Sequence, residues 1–431
     1  MNPEKILEIL NDWNFWKKEI DTGKERPFYL EKFKNFMATG QIISVIGARQ
    51  VGKSTLMLQY AHTLIQQGLP KENILYVNFE DPRFVGELSL DLLQKIYETY
   101  LEYLTPKGKP YILLDEIHIV DGWEKFARSL HAKNEAFVIV SGSSSKLLSA
   151  EFGTVLTGRH LTIEIHPLSF QEFLAFNNIK VTSTLDILSR KIELKRLVKE
   201  YLRWGGFPRV VLSDQKEEIL RRYFDDILSK DVVGRYQLRN IDKLKELAKY
   251  YLTNISNIKS FNKIKKVLNI SLDSTERFSY YLTYAYLIHL VKLFSYSLKQ
   301  QEVNARKVYC IDTGLRNVVS FRFSEDSGRL VENIVFHQLV RQGNETYYWR
   351  NSKHQEVDFV VKQGLDVTLL IQVCWNIDDP EVRKRETNAL WSALDEFTLT
   401  EGLIVTEDYD GEEQKNGKTI RFIPLWRWLL Q

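Results

Sequence analysis

A chain of 431 residues, 44% hydrophobic and 27% charged, is long enough for several packed domains and is composed like an ordinary globular protein. Lys+Arg 59 against Asp+Glu 56 leaves a net +3, which does not mark a nucleic-acid binder by bulk charge, so any basic surface has to arise locally. Two cysteines, Cys310 and Cys374, exclude a disulfide framework or zinc ribbon, and no apolar run approaches the roughly 18–20 residues of a membrane span; a cytoplasmic protein without membrane contact is expected.

In chain order, "MNPEKILEILNDWNFWKKEI" reads as an amphipathic helix with charges throughout, unlike a signal peptide. "IISVIG" (42–47) is the first clear strand, followed by a helix over 53–67 that ends at Gly68. Apolar runs at 74–80, 111–116 and 137–142 alternate with helical stretches at 88–104 and 123–132, the pattern of a parallel sheet covered on both faces. From about 168 to 235 the pattern is helical, broken by "WGGFP". Residues 240–290 give three short helices and then apolar β-like stretches. Beyond 306 the chain is mixed α/β: helices at 328–341 and 380–396, strands at 346–350, 356–361, 368–375 and 402–406, and a polar hairpin or loop at 409–418.

"GARQVGKST" (Gly47, Ala48, Arg49, Gln50, Val51, Gly52, Lys53, Ser54, Thr55) satisfies G-x-x-x-x-G-K-[ST] between a buried strand and a helix. The glycines let the backbone curl so that N–H groups point at phosphates, and the helix N-terminus adds unpaired donors and a favourable dipole. Lys53 is placed to reach the β/γ-phosphates of ATP and Ser54 to ligate Mg²⁺. "YILLDEIH" (111–118) delivers Asp115 and Glu116 at a strand's carboxyl end; Asp115 suits Mg²⁺ and Glu116 suits a general base that polarises water. "VIVSGSSS" ends in hydroxyls where a γ-phosphate sensor belongs, with Ser141 and Ser143 as candidates, although serines there also cap helices. Arg159 in "LTGRH" is a candidate for stabilising transition-state charge, in cis or from a neighbouring subunit, or else a structural ion-pair residue.

Together "GARQVGKST", "LLDEIH", "VSGSSSKLL", "TGRHLTIEIHPLSFQEF" and "WGGFPRVV" resemble the prokaryotic and archaeal AAA-like ATPases of the additional-strand P-loop class, close to the STAND NTPases. The resemblance extends through "KVYCIDTGLRNVV" and "LVENIVFHQL" to the C-terminal domain of unknown function that such ATPases carry. It implies that the Gly205-Gly206-x-Pro208 turn lies near bound nucleotide; read alone, the turn is a tight connection between helices. It also implies a winged helix at 261–297, where the sequence reads helix, turn, helix, strand, with a capping-box-like Asp273 to Glu276 opening the second helix. Seven lysines against Asp242 and Glu246 between Ile241 and Ile270, most of them within 243–266, offer phosphate contacts to DNA. Winged helices also serve as protein-packing modules.

Glu332 on a helix, Asp358 on the strand "EVDFVV", and Gln372 and Cys374 on "LLIQVCWN" follow the order of the PD-(D/E)xK nuclease core, which this domain resembles. Gln372 is a neutral oxygen ligand there, and Cys374 stands where lysine would be; Arg383, Lys384 or Arg385 is the candidate replacement. Losing one such group typically costs two or more orders of magnitude in rate, so a degenerate, inactive nuclease-like domain is expected.

The expected fold is α/β: a P-loop parallel sheet over 1–167, a helical lid at 168–238, a winged helix at 239–305 and the nuclease-like domain at 306–431. The expected function is Mg²⁺-dependent ATP hydrolysis, with ATP and ADP as ligands, coupled to action on nucleic acid and with a homo-oligomer or protein partner in view. The alternative is a STAND-like switch that binds a protein.

Overall fold

The computed structural model describes residues 1–142, 160–238, 240–320 and 327–431. The chain divides into two units, Met1–Ile165 and His166–Gln431.

The first unit is built on five parallel strands, β1 (Ile42–Gly47), β2 (Ile74–Asn78), β3 (Tyr111–Asp115), β4 (Phe137–Ser141) and β5 (His160–Ile165), in the order β2-β3-β4-β1-β5. Their apolar runs do not alternate because both faces are covered. On one face Ile46, Val77, Ile112, Leu114 and Val140 pack with Ile6, Leu93, Ile96 and Phe126 from helices Pro3–Trp13, Leu90–Leu104 and Trp123–Ala132. Helices Pro27–Met37 and Lys53–Gln66 pack on each other and on β1, with Phe33 and Tyr60 stacked at 4.9 Å. β4 lies between the phosphate-loop strand and the acidic strand.

In the second unit, helices Lys191–Trp204 and Lys216–Asp226 flank the "WGGFP" turn, and the latter continues as a π-helix over Ile227–Gly234. Gly205 (φ +73°) approaches Asp312 so closely that a Cβ there would lie 2.0 Å from Oδ1. Asp312 accepts hydrogen bonds from the Gly206 and Leu315 amides at 2.7 and 3.0 Å. Gly205→Ala therefore combines a strained backbone with a buried clash. It is expected to cost about 2–4 kcal/mol, visible as lost hydrogen-exchange protection at the Gly206 and Leu315 amides.

Helices Ile241–Thr253, Phe261–Leu268 and Leu272–Tyr284 alternate with β6 (Ile258–Lys259), β7 (Ile288–Val291) and β8 (Arg306–Cys310), which pair antiparallel in the order β6-β8-β7. The helix expected to start at an Asp273–Glu276 box is capped two residues earlier, where the Ser271 side chain accepts from the Ser274 amide.

The remaining sheet has six strands, β9 (Glu345–Arg350), β10 (Glu356–Gln363), β11 (Asp366–Val373), β12 (Glu401–Thr406), β13 (Gly411–Lys415) and β14 (Lys418–Pro424), in the order β13-β14-β12-β11-β10-β9. Helix Ser327–Arg341 supplies Val331, Ile334 and Val335 to one face, and helix Pro380–Glu396 supplies Leu390, Ala393 and Leu394 to the other. Side chains of β11 alternate between these layers: Ile371 and Val373 pack with the first, Leu370 and Cys374 with the second. β10 does not alternate cleanly. A register shift between Val357 and Val360 inserts an extra residue opposite β9, so Val357 and Val360 share one core and Asp358 is turned away from Val360's face.

Among the described residues no helix is long and apolar enough to cross a membrane.

Candidate functional site

At the carboxyl edge of the first sheet, the loop after β1 needs backbone shapes that most side chains resist. Gly47 has φ +146°, and a Cβ there would lie 2.3 Å from the Ile165 carbonyl; Gln50 and Gly52 are left-handed at φ +67° and +95°. Lys53 opens the following helix and folds back, its Nζ donating to the Gly47 and Ala48 carbonyls at 3.3 and 3.2 Å. The buried Arg26 guanidinium donates to the Val51 carbonyl at 3.1 Å.

β3 brings Asp115 and Glu116 to the same edge. Asp115 is buried and accepts hydrogen bonds from Tyr76 Oη (2.6 Å), Ser141 Oγ and the Ser54 hydroxyl. Burial, then the neighbouring Glu116 charge, raise its pKa above the ordinary carboxylate value. Glu116 leaves the strand in the left-handed region (φ +53°), a conformation that non-glycine residues rarely take. Its Oε1 lies 3.9 Å from Lys53 Nζ and its Oε2 3.2 Å from His118 Nδ1. Burial works against its ionisation, but the His118 bond and the Lys53 and Arg49 charges prevail and hold it down at about 2. Lys53, Ser54, Asp115, Glu116 and Ser141 thus converge. Ser143 and Arg159 lie outside the described residues. Pro208 opens the short helix Pro208–Val211 in the second unit. Arg26, Tyr76 and His118 escaped the sequence reading; the signal for His118 was its place two residues after Glu116 in "DEIH".

A second charged cluster lies in the second unit. Lys307 on β8 is 1% exposed, and its Nζ meets Glu332 Oε1 at 2.9 Å, Glu356 Oε1 at 2.9 Å and Asp358 Oδ1 at 2.6 Å. Tyr309 Oη donates to Glu332 Oε1 at 2.7 Å, and the Val373 amide donates to Asp358 Oδ2 at 2.8 Å. Gln372 ties the cluster to the next helix: its Oε1 accepts from the Asp358 amide at 3.0 Å and its Nε2 donates to Glu386 at 2.5 Å. Burial, then Asp358, push the Glu332 carboxyl up to about 8. The structure brings Glu332, Asp358 and Gln372 together as the nuclease-like order predicts. Cys374 instead packs in the apolar layer with Leu370 and Ile404, its thiol pushed up to about 12 by burial. The next helix does not supply the cation either: Arg383 pairs with Glu413 and Arg385 with Glu386. The lysine arrives from β8, upstream of every residue in the motif. Its only sequence signal was a charged Arg306-Lys307 pair heading an apolar strand.

Comparison with known proteins places an AAA domain at residues 39–174, a domain of unknown function (DUF8612) at 195–326 and another (DUF4143) at 327–428. The chain is 35% identical over 404 residues to the uncharacterized protein MJ1544 of Methanocaldococcus jannaschii, covering 90% of this chain and 87% of that one. It is 31% identical over 413 residues to an uncharacterized protein of Haemophilus influenzae, covering 94% and 98%. Among solved structures, the Walker-type ATPase PABY2304 of Pyrococcus abyssi aligns with a TM-score of 0.42 at 13% identity, covering 68% of this chain and 95% of that one.

Proposed function

For a chain that belongs to the family of the M. jannaschii protein MJ1544 and has an AAA-like P-loop ATPase core, we propose Mg²⁺-dependent ATP hydrolysis coupled to nucleic acid. The convergence of Lys53, Ser54, Asp115 and Glu116 at one sheet edge carries this reading. Mg²⁺ fits there: Ser54 and Asp115 are hard oxygen donors already in hydrogen-bond contact, and the ion would neutralise phosphate charge. Lys53 would leave the loop carbonyls for the β/γ-phosphates, and the ionised Glu116 would orient the attacking water. Ser143 and Arg159 are assigned to the same nucleotide site as sensor and charge-stabilising residues.

Residues 239–305 are read as a winged helix, with Lys263, Lys265 and Lys266 exposed on one short helix for phosphate contact. The 306–431 domain is read as nuclease-like without nuclease activity. Turnover measured with single-stranded, duplex and junction DNA is expected to rise with at least one of them. Replacing Lys263, Lys265 and Lys266 by Ala should lower the slope of log affinity against log salt by up to about three units. No stimulation and no salt-dependent binding would remove nucleic acid from the reading.

One observation favours a protein partner instead. Tyr296, Leu298 and Val303, on the connection between β7 and β8, are 86%, 76% and 72% exposed. An apolar wing of this kind suits a protein surface better than a phosphate backbone.

A further inference from the structure

The nuclease-like reading carries an expectation of a divalent cation between Glu332 and Asp358, and the residues present do not fit one. An ammonium has three N–H donors, and those of Lys307 are met by one oxygen each from Glu332, Glu356 and Asp358. Oxygens a metal would use already serve protein donors: Glu332 Oε1 accepts from Lys307 and Tyr309, Asp358 Oδ1 from Lys307, and Asp358 Oδ2 from the Val373 amide. Gln372, the remaining oxygen ligand of the pattern, has its Oε1 committed to the Asp358 amide. Among the described residues, no group of three or more His, Cys, Asp and Glu side chains is arranged to hold a metal ion.

We propose that Lys307 is a built-in counter-ion that takes the place of a divalent cation between Glu332, Glu356 and Asp358 and keeps hard metal ions out of the site.

Three features make the replacement permanent. Lys307 sits on the central strand of its sheet, paired through Ile258 on one side and Val291 on the other, so its backbone is held from both edges. Its side chain is 1% exposed, so the ammonium is enclosed by protein, with three carboxylate oxygens within 2.9 Å. A doubly charged ion at the same carboxylates would stand within a few ångströms of the ammonium, where charge repulsion in a poorly solvated interior is strong. The cavity of about 540 Å³ alongside, lined by Glu356, Asp358, Gln372, Arg385 and Glu386 among others, keeps the outline of an active site with its centre filled. Its carboxylates are met by a single-charged residue that cannot activate water as a metal does.

The proposal rests on the nuclease-like reading only for the identity of the ion displaced. It is tested on the full-length, nucleotide-free protein by counting bound Mn²⁺ calorimetrically and by following Tm against Mn²⁺. In the wild type, Asp358→Asn should leave the Mn²⁺ stoichiometry unchanged, any ion at Ser54 and Asp115 being common to both proteins. Lys307→Ser should gain one equivalent of Mn²⁺ and a Tm that climbs with Mn²⁺ concentration, and adding Asp358→Asn should abolish both. A wild-type protein that loses an equivalent of Mn²⁺ on Asp358→Asn overturns the proposal while leaving the nuclease-like reading standing. A Lys307→Ser protein that folds without gaining a site, or stays unfolded at saturating Mn²⁺, overturns the proposal. If it does so while Lys307→Met combined with Glu332→Gln and Asp358→Asn folds normally, the nuclease-like reading of the cluster falls as well.

Discussion

Glu116→Gln is expected to lower ATP turnover at least about a hundredfold, the usual range for removing a general base, while nucleotide still binds. Gln keeps the shape of the side chain and loses the charge that Lys53 and His118 hold in place. A single-turnover assay with labelled ATP separates the steps: binding at near wild-type affinity, then slow release of phosphate. Lys53→Ala should fail earlier, in affinity, because this lysine opens the helix at the loop's end and is the motif's cation for the β/γ-phosphates. A Glu116→Gln protein with normal turnover would transfer the base to another residue. The acid limb of the wild-type pH profile should not come from Glu116. With its carboxyl held at about 2, below the ordinary value, its charge is lost only as pH falls through that value.

Lys307→Met should weaken the second unit by about 3–5 kcal/mol, the cost of leaving buried charge without its partner. The readout is hydrogen exchange at β8 and β10, since a two-unit chain need not unfold in one step. Adding Glu332→Gln and Asp358→Asn should return most of the loss, because the two buried charges are then removed and the remaining acid, Glu356, is a third exposed and keeps solvent. The deficit of the single variant should be greatest at high pH. Burial already pushes Glu332 up to about 8 with the ammonium present; without it Glu332 rises further. The folded state then binds protons that the unfolded chain releases, so the penalty is present above the folded pKa and fades as pH falls toward the ordinary carboxylate range. A variant as stable as the wild type at pH 8 would mean that Lys307 contributes nothing net.

The phosphate loop and the acidic strand were legible because their chemistry is local: nine consecutive residues, then one strand end, each flanked by the element that aims it. That the sheet is parallel followed from apolar runs separated by helices, whereas its strand order comes from tertiary pairing. The carboxylate cluster was half legible. Glu332, Asp358 and Gln372 stand in the order of the nuclease core that the domain resembles, but that order places the lysine after Asp358. Lys307 precedes the motif and belongs to a different sheet, so only tertiary packing reveals it. The bulge in β10 escaped for a similar reason. "EVDFVV" reads as a regular strand, and the extra residue is set by pairing with β9. Tyr76, likewise, is one more apolar position in β2 until its hydroxyl is seen on Asp115.

The border between the two domains of unknown function falls at residues 326 and 327, and it passes between Lys307 and its acids. A fragment beginning at 327 would carry Glu332 and Asp358 into its interior with no positive charge to meet them, and a fragment ending at 326 would bury an unmatched ammonium. Neither block is therefore a free-standing unit of inheritance. A recombination that joined either to a foreign neighbour would have to supply a replacement charge in the same event, so the two blocks are expected to travel through evolution as one.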